Sequence, residues 1–201
     1  MSANMPLRRR RGPTGDERGQ SLVEMAIILP LLVVVVLGVV EVSYALLDQH
    51  VVTKLTREGS NLISRDTSLP DAAAVLKAMS SAPVNFDTRS RLVFSVIRKG
   101  ATTGTSNFGQ DILYQRLEFG ALAASSVLQT KGSSTFGPPD YQATNADTNT
   151  GLQLKGLPAG LVVGTGSMVY VTEVWTKHEL ITPFDKFGVK VPQVLYSIAY
   201  F

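Results

Sequence analysis

An α+β fold, with a long N-terminal transmembrane helix packed on an antiparallel sheet of about four strands, follows from three features of this 201-residue sequence. The stretch from Leu22 to Leu47 is almost purely apolar. Beyond it Leu47, Val51, Leu55 and Leu62 keep an apolar stripe at helical spacing. Four later stretches alternate β-branched and aromatic residues, and the segments between them are too poor in helix formers to supply crossover helices.

Residues 1–19 are a basic leader. Arg8, Arg9, Arg10, Arg11 and Arg18 against Asp16 and Glu17 account for the whole formal charge of +3, so the remainder is close to neutral. A terminal arginine block with no interleaved aromatics does not read as a nucleic-acid surface. Placed before an apolar run, it sets membrane orientation, with the arginines cytoplasmic and residues 48–201 on the far side of the inner membrane.

At about 1.5 Å per residue the apolar run makes roughly 39 Å of helix, more than the roughly 30 Å of a hydrocarbon core. Leu22 opens it, and its exceptions are Glu24, Pro30, Gly38 and Glu41. Pro30 has no N–H and bends the helix locally, which a membrane helix tolerates when neighbours supply packing or hydrogen bonds. Val33 to Val36 are β-branched, but in lipid a helix satisfies its own backbone, so length prevails over propensity. A secretory signal cut after Ala45, within Ser43-Tyr44-Ala45, is weakened by the long apolar core and by Glu41 beside the cut. A plain single-pass anchor leaves Glu24 unexplained.

The stretch Gly19-Gln20-Ser21-Leu22-Val23-Glu24-Met25 resembles the prepilin peptidase site of type IV pilins: a glycine before the cut, a carboxylate at the fifth mature position, then a long apolar helix. With Leu29-Pro30-Leu31-Leu32, Gly38, Glu41 and Arg57-Glu58-Gly59, residues 19–65 resemble the TadE-like family of minor pilins of tight-adherence (Tad) pilus systems. Gln20 departs from the Phe common at the first mature position of ordinary type IV pilins, and the chain is longer than Tad major pilins.

The resemblance implies cleavage after Gly19 and a minor pilin or pseudopilin needed for pilus assembly and adherence. It also implies that Glu24 docks on the N-terminal amine of a neighbouring subunit. The implied partners are a prepilin peptidase, other Tad pilins and minor pilins, an inner-membrane assembly platform and membrane lipid, with no nucleic acid. The implied organisation is a cleaved cytoplasmic leader at 1–19, an N-terminal helix at 20–66 that is transmembrane to about 47, and an extracytoplasmic α+β domain at 67–201. A membrane-anchored extracytoplasmic binding module, neither processed nor assembled, is the alternative.

In the remaining chain Pro70 and Asp71 start a short second helix ending near Ser80. Strands are expected over 91–98, 111–119, 167–180 and 193–201. Gly100–Gln110 and Thr130–Gly151 read as loops, the second long for a compact domain. The alternating aromatics of the C-terminal "YSIAYF" suit a last core strand rather than an outer-membrane barrel.

Enzyme signatures are missing, and no catalysis and no cofactor are expected. "VGTGSMV" is neither a nucleophile elbow nor a phosphate-binding loop. Asp140, Asp147, Glu173, Glu179 and Asp185 read as solvated faces, and Tyr170, Trp175 and Phe184 as core. There is no cysteine, and His50 and His178 lack a second ligand at metal-site spacing.

Overall fold

The computed structural model of the protein describes residues 17–182 and 193–201. The chain divides into two units at Val42/Ser43. Helix α1 (Glu17–Ser64) is continuous, with Pro30 inside it. In the first unit its apolar side chains are open: Leu22 is 72% exposed and Leu31 66%. Glu41, by contrast, is buried.

The second unit contains the rest of α1, α2 (Leu69–Met79) and six strands: β1 (Ser90–Lys99), β2 (Asp111–Phe119), β3 (Phe136–Gly137), β4 (Gln142–Ala143), β5 (Met168–Lys177) and β6 (Val194–Tyr200). They form one sheet in the order β3-β4-β2-β1-β5-β6, antiparallel at every pairing. The four expected strands are all present. The two additional ones are two-residue strands inside the long loop, too short to leave an alternation in the sequence.

The stripe expected on α1 is rotated. Leu47 is 58% exposed, and Val51 and Leu62 are half-buried. The line facing the sheet is Val52, Leu55, Thr56, Gly59, Ser60 and Ile63. Small and hydroxylated residues occupy it because the helix lies too close to the strands for larger ones. A Cβ on Gly59 would stand 2.8 Å from Thr172 Cγ2, 2.9 Å from Leu76 Cδ1 and 3.1 Å from Phe94 Cε1. The hydroxyls do not lose their hydrogen bonds in this contact. Thr56 donates back to the Val52 carbonyl at 2.7 Å, and Ser60 donates to the Ala199 carbonyl of β6 at 3.1 Å.

The second helix starts on Ser68, whose hydroxyl accepts from the Asp71 amide, with Pro70 in the first turn where its missing N–H is harmless. It buries Leu69, Ala72, Ala73 and Leu76 against Leu92, Phe94 and Val96 of β1 and Leu117 of β2.

The register explains the second core. Phe94 lies opposite Thr172 and Leu117 on the helix side, so Ile97, Leu113, Val169 and Val171 face away. That other face is covered by Leu128, Leu154 and Val163 from the segment between β2 and β5. The long loop is therefore a second layer over the sheet. It is tied to the Gly100–Gln110 loop by buried Asn107, whose amide donates to the carbonyls of Ala146 (2.7 Å) and Asn149 (2.8 Å).

Replacing Gly59 by Leu forces the helix off the sheet. A loss of about 1 to 3 kcal/mol is expected from overpacking, read as a lower midpoint in chemical unfolding of the detergent-solubilised full chain.

Candidate functional site

The N-terminal end of α1 carries the predicted processing and docking residues. A Cβ on Gly19 would meet nothing within 4 Å, so packing places no demand for glycine there. One turn on, the Gln20 side-chain amide donates to Glu24 Oε1 at 3.0 Å, and both side chains are exposed. Glu24 stands among exposed apolar neighbours, Val23 at 61% and Met25 at 67%. In water such a surface is unfavourable by roughly 1.5 to 3 kcal/mol for each large side chain left unburied, whereas in hydrocarbon the lone carboxylate becomes the costly group. Of the remaining leader, residues 1–16 lie outside the described residues.

The second predicted cluster separates by orientation. Arg57 is exposed, Glu58 half-buried, and Gly59 sits against the sheet. Gly59 thus has a packing role. Arg57 and Glu58 line the open side of α1 with Gln49, His50, Thr53 and Lys54. Pro30 and Gly38 lie within the apolar half of the helix, Pro30 exposed and Gly38 half-buried.

Residues 19–61 match a family described as TadE-like protein. The TadE-like segment begins at Gly19, includes Glu24, and ends two residues past Gly59 on the sheet-facing part of α1. No curated protein and no solved structure matches the chain.

The α+β domain contains a polar group that the sequence did not disclose. Glu173, expected on a solvated face, is fully buried on the side of β5 away from α1. Alternation alone could not show this, because the layer that covers Glu173 comes from a loop without periodicity. Its carboxylate accepts from the Ser126 hydroxyl, the Val127 amide at 2.9 Å and the Tyr196 hydroxyl at 3.0 Å. Beside it Arg116 donates to Ser95 Oγ at 3.3 Å, to Ser126 Oγ at 3.1 Å and to the Leu128 carbonyl at 2.7 Å. Burial lowers the Arg116 pKa, while Glu118 and Glu173 act in the opposite sense. The network joins β1, β2, β5, β6 and the covering loop. Two of the Glu173 contacts hold the covering layer, through Ser126 and Val127, and the third holds β6 through Tyr196.

Asp147 is engaged by Arg98 at 3.1 Å and by the Thr102 hydroxyl at 2.8 Å, and Glu179 pairs with Arg89 at 2.7 Å. Asp185 and Phe184 lie outside the described residues. Trp175 is buried as expected and stacks on Tyr196 at 4.9 Å, while Tyr170 is half-buried. His178 meets Asp48 of α1 at 2.7 Å, a pairing across 130 positions with no signature in sequence. Among the described residues no group of three His, Cys, Asp or Glu side chains could hold a metal.

Burial and then the charge of Glu173 raise the Tyr196 pKa far above its ordinary value, and Tyr200 is raised for the same two reasons. The folded state then keeps protons that the unfolded chain releases above about pH 10. Stability should fall as pH rises beyond that point, and Tyr196→Phe should flatten the fall in alkaline unfolding titrations. Glu173→Ala leaves the Ser126 hydroxyl, the Val127 amide and the Tyr196 hydroxyl without their shared acceptor. A cost of about 1 to 3 kcal/mol is expected in denaturant unfolding, the range for buried donors left unsatisfied.

Proposed function

We propose that this protein is a minor pilin or pseudopilin of a Tad-type pilus, processed after Gly19 and held in the inner membrane by α1 before assembly. The observation that carries the reading is the TadE-like match, which starts at Gly19 on a helix long and apolar enough to cross a membrane. The open surface at Gly19 adds support. A peptidase needs close access to the backbone, and a glycine that packing does not require suits recognition.

Cleavage frees an α-amino group on Gln20, four residues before Glu24. In the bilayer Glu24 is stabilised by a cationic partner, and the amine of a neighbouring subunit supplies one at the depth that sets axial register. The Gln20 amide holds Glu24 in the single chain and is replaced on assembly. Residues 48–201 lie outside the cytoplasm, and the arginine leader stays inside until it is removed. The chain performs no catalysis. Its partners are the prepilin peptidase, other Tad pilins and minor pilins, the inner-membrane platform and lipid.

Intact mass and N-terminal peptide analysis of the membrane-extracted protein should give a start at Gln20 that depends on a co-expressed prepilin peptidase. A leader retained in its presence would favour an anchored binding module instead. Glu24→Gln should be processed normally yet recover at least tenfold less of the partner pilins on co-purification, and recovery at the unsubstituted level would remove the docking role.

A further inference from the structure

Where α1 ends, the helix side of the sheet carries a cleft of about 320 Å³. That is the lower end of the roughly 300 to 1,000 Å³ found for ligand sites, and it admits a single long side chain. The cleft lies wholly within the second unit. Ile63, Leu69 and Val96 give it an apolar floor, and Tyr170 of β5 forms part of its wall.

A β-bulge shapes it. The register of β1 on β2 runs from Val96 opposite Gln115 to Ile97 opposite Leu113, so Tyr114 has no partner in β1. Regular alternation sends neighbouring residues to opposite faces of a sheet. Here Tyr114 and Gln115 both line the cleft, which the extra residue of the bulge allows. The two side chains then hold the turn between β3 and β4. Tyr114 donates its hydroxyl to Gln142 Oε1, and the Gln115 side-chain amide donates to the Asp140 carbonyl, each at 3.0 Å. This brings Asp140 to the cleft. Asp66, two residues past α1 and left-handed at φ 61°, brings a second carboxylate from the turn before α2.

The charge of the cleft is unbalanced. Asp87, Asp111 and Asp147 pair with Lys77, Lys99 and Arg98. Among the described residues nothing engages the carboxylate of Asp66 or of Asp140, and no lysine, arginine or histidine lines the cleft. Two carboxylates without a counter-charge repel an anion and attract a cation.

We propose that this cleft receives an arginine side chain of a partner protein. A guanidinium is planar and weakly hydrated, and it stacks on aromatic rings while donating to carboxylates. Tyr170 offers the ring, Asp66 and Asp140 the charge, and the apolar floor a surface for the methylene stem. The chain already holds one of its own arginines in this manner. Arg98 lies 4.1 Å over the Tyr114 ring and pairs with Asp147 at 3.1 Å.

The test titrates the full chain in detergent with a blocked peptide, acetyl-Gly-Gly-Arg-Gly-Gly-amide, followed by NMR. The amides of Asp66, Gln142 and Tyr170 should shift. The citrulline counterpart keeps the shape and loses the charge, and it should bind at least tenfold more weakly. Asp66→Asn and Asp140→Asn should each weaken the arginine peptide roughly threefold and together about tenfold, as two exposed ion pairs allow. Neither carboxylate is used in the fold, so the unfolding midpoint of these variants should not move.

Absence of any shift at the three amides with millimolar peptide overturns the site. Equal binding of the citrulline peptide, or full affinity in the doubly substituted chain, overturns a cationic ligand. Tighter binding of maltose than of the arginine peptide overturns it in favour of a saccharide. Free arginine bound tenfold more tightly than the peptide overturns the partner protein in favour of a small molecule.

Discussion

The close approach of α1 to the sheet at Gly59 is the contact on which the α+β domain depends. A helix normally stands off a sheet by the length of its side chains. Here Gly59 presents none, and Thr56 and Ser60 return their hydroxyls to backbone carbonyls, so the strands come within van der Waals range of the helix. The same approach brings Ser60 to Ala199 and Gln49 to Tyr196, which fastens the last strand as well as the central ones. Burial of Val52, Leu55 and Ile63 supplies the apolar free energy, and the small residues decide how near the helix can lie.

The opposite face of the sheet is organised by charge. Glu173 and Arg116 share Ser126, and Glu173 also reaches Val127 and Tyr196, so one buried carboxylate binds the covering layer to β5 and β6. Buried charges are a poor source of net stability. Their effect is geometric, because a segment with little regular structure needs directional bonds to take one arrangement. Asn107 has the same function where two loops meet.

The apolar half of α1 is governed by its solvent. Its exposed leucines and valines gain nothing in water, and a bilayer reverses the balance by solvating them and making Glu24 the exception. One composition thus suits the helix to lipid and makes its carboxylate costly to leave alone there.

Local chemistry determined the helix, the short α2 and the four long strands, because periodicity, capping residues and β-branched runs act over a few neighbours. It also determined the Gly19 to Glu24 motif, in which spacing along the chain is itself the signal. Which stripe of α1 faces the sheet was decided only in the folded chain, since Thr56, Gly59 and Ser60 look polar or neutral until a strand approaches them. The burial of Glu173, the meeting of Asp48 with His178 and the layer formed by the long loop were decided there too. Each joins residues far apart in sequence, and no local preference encodes a contact that loop closure and strand register create.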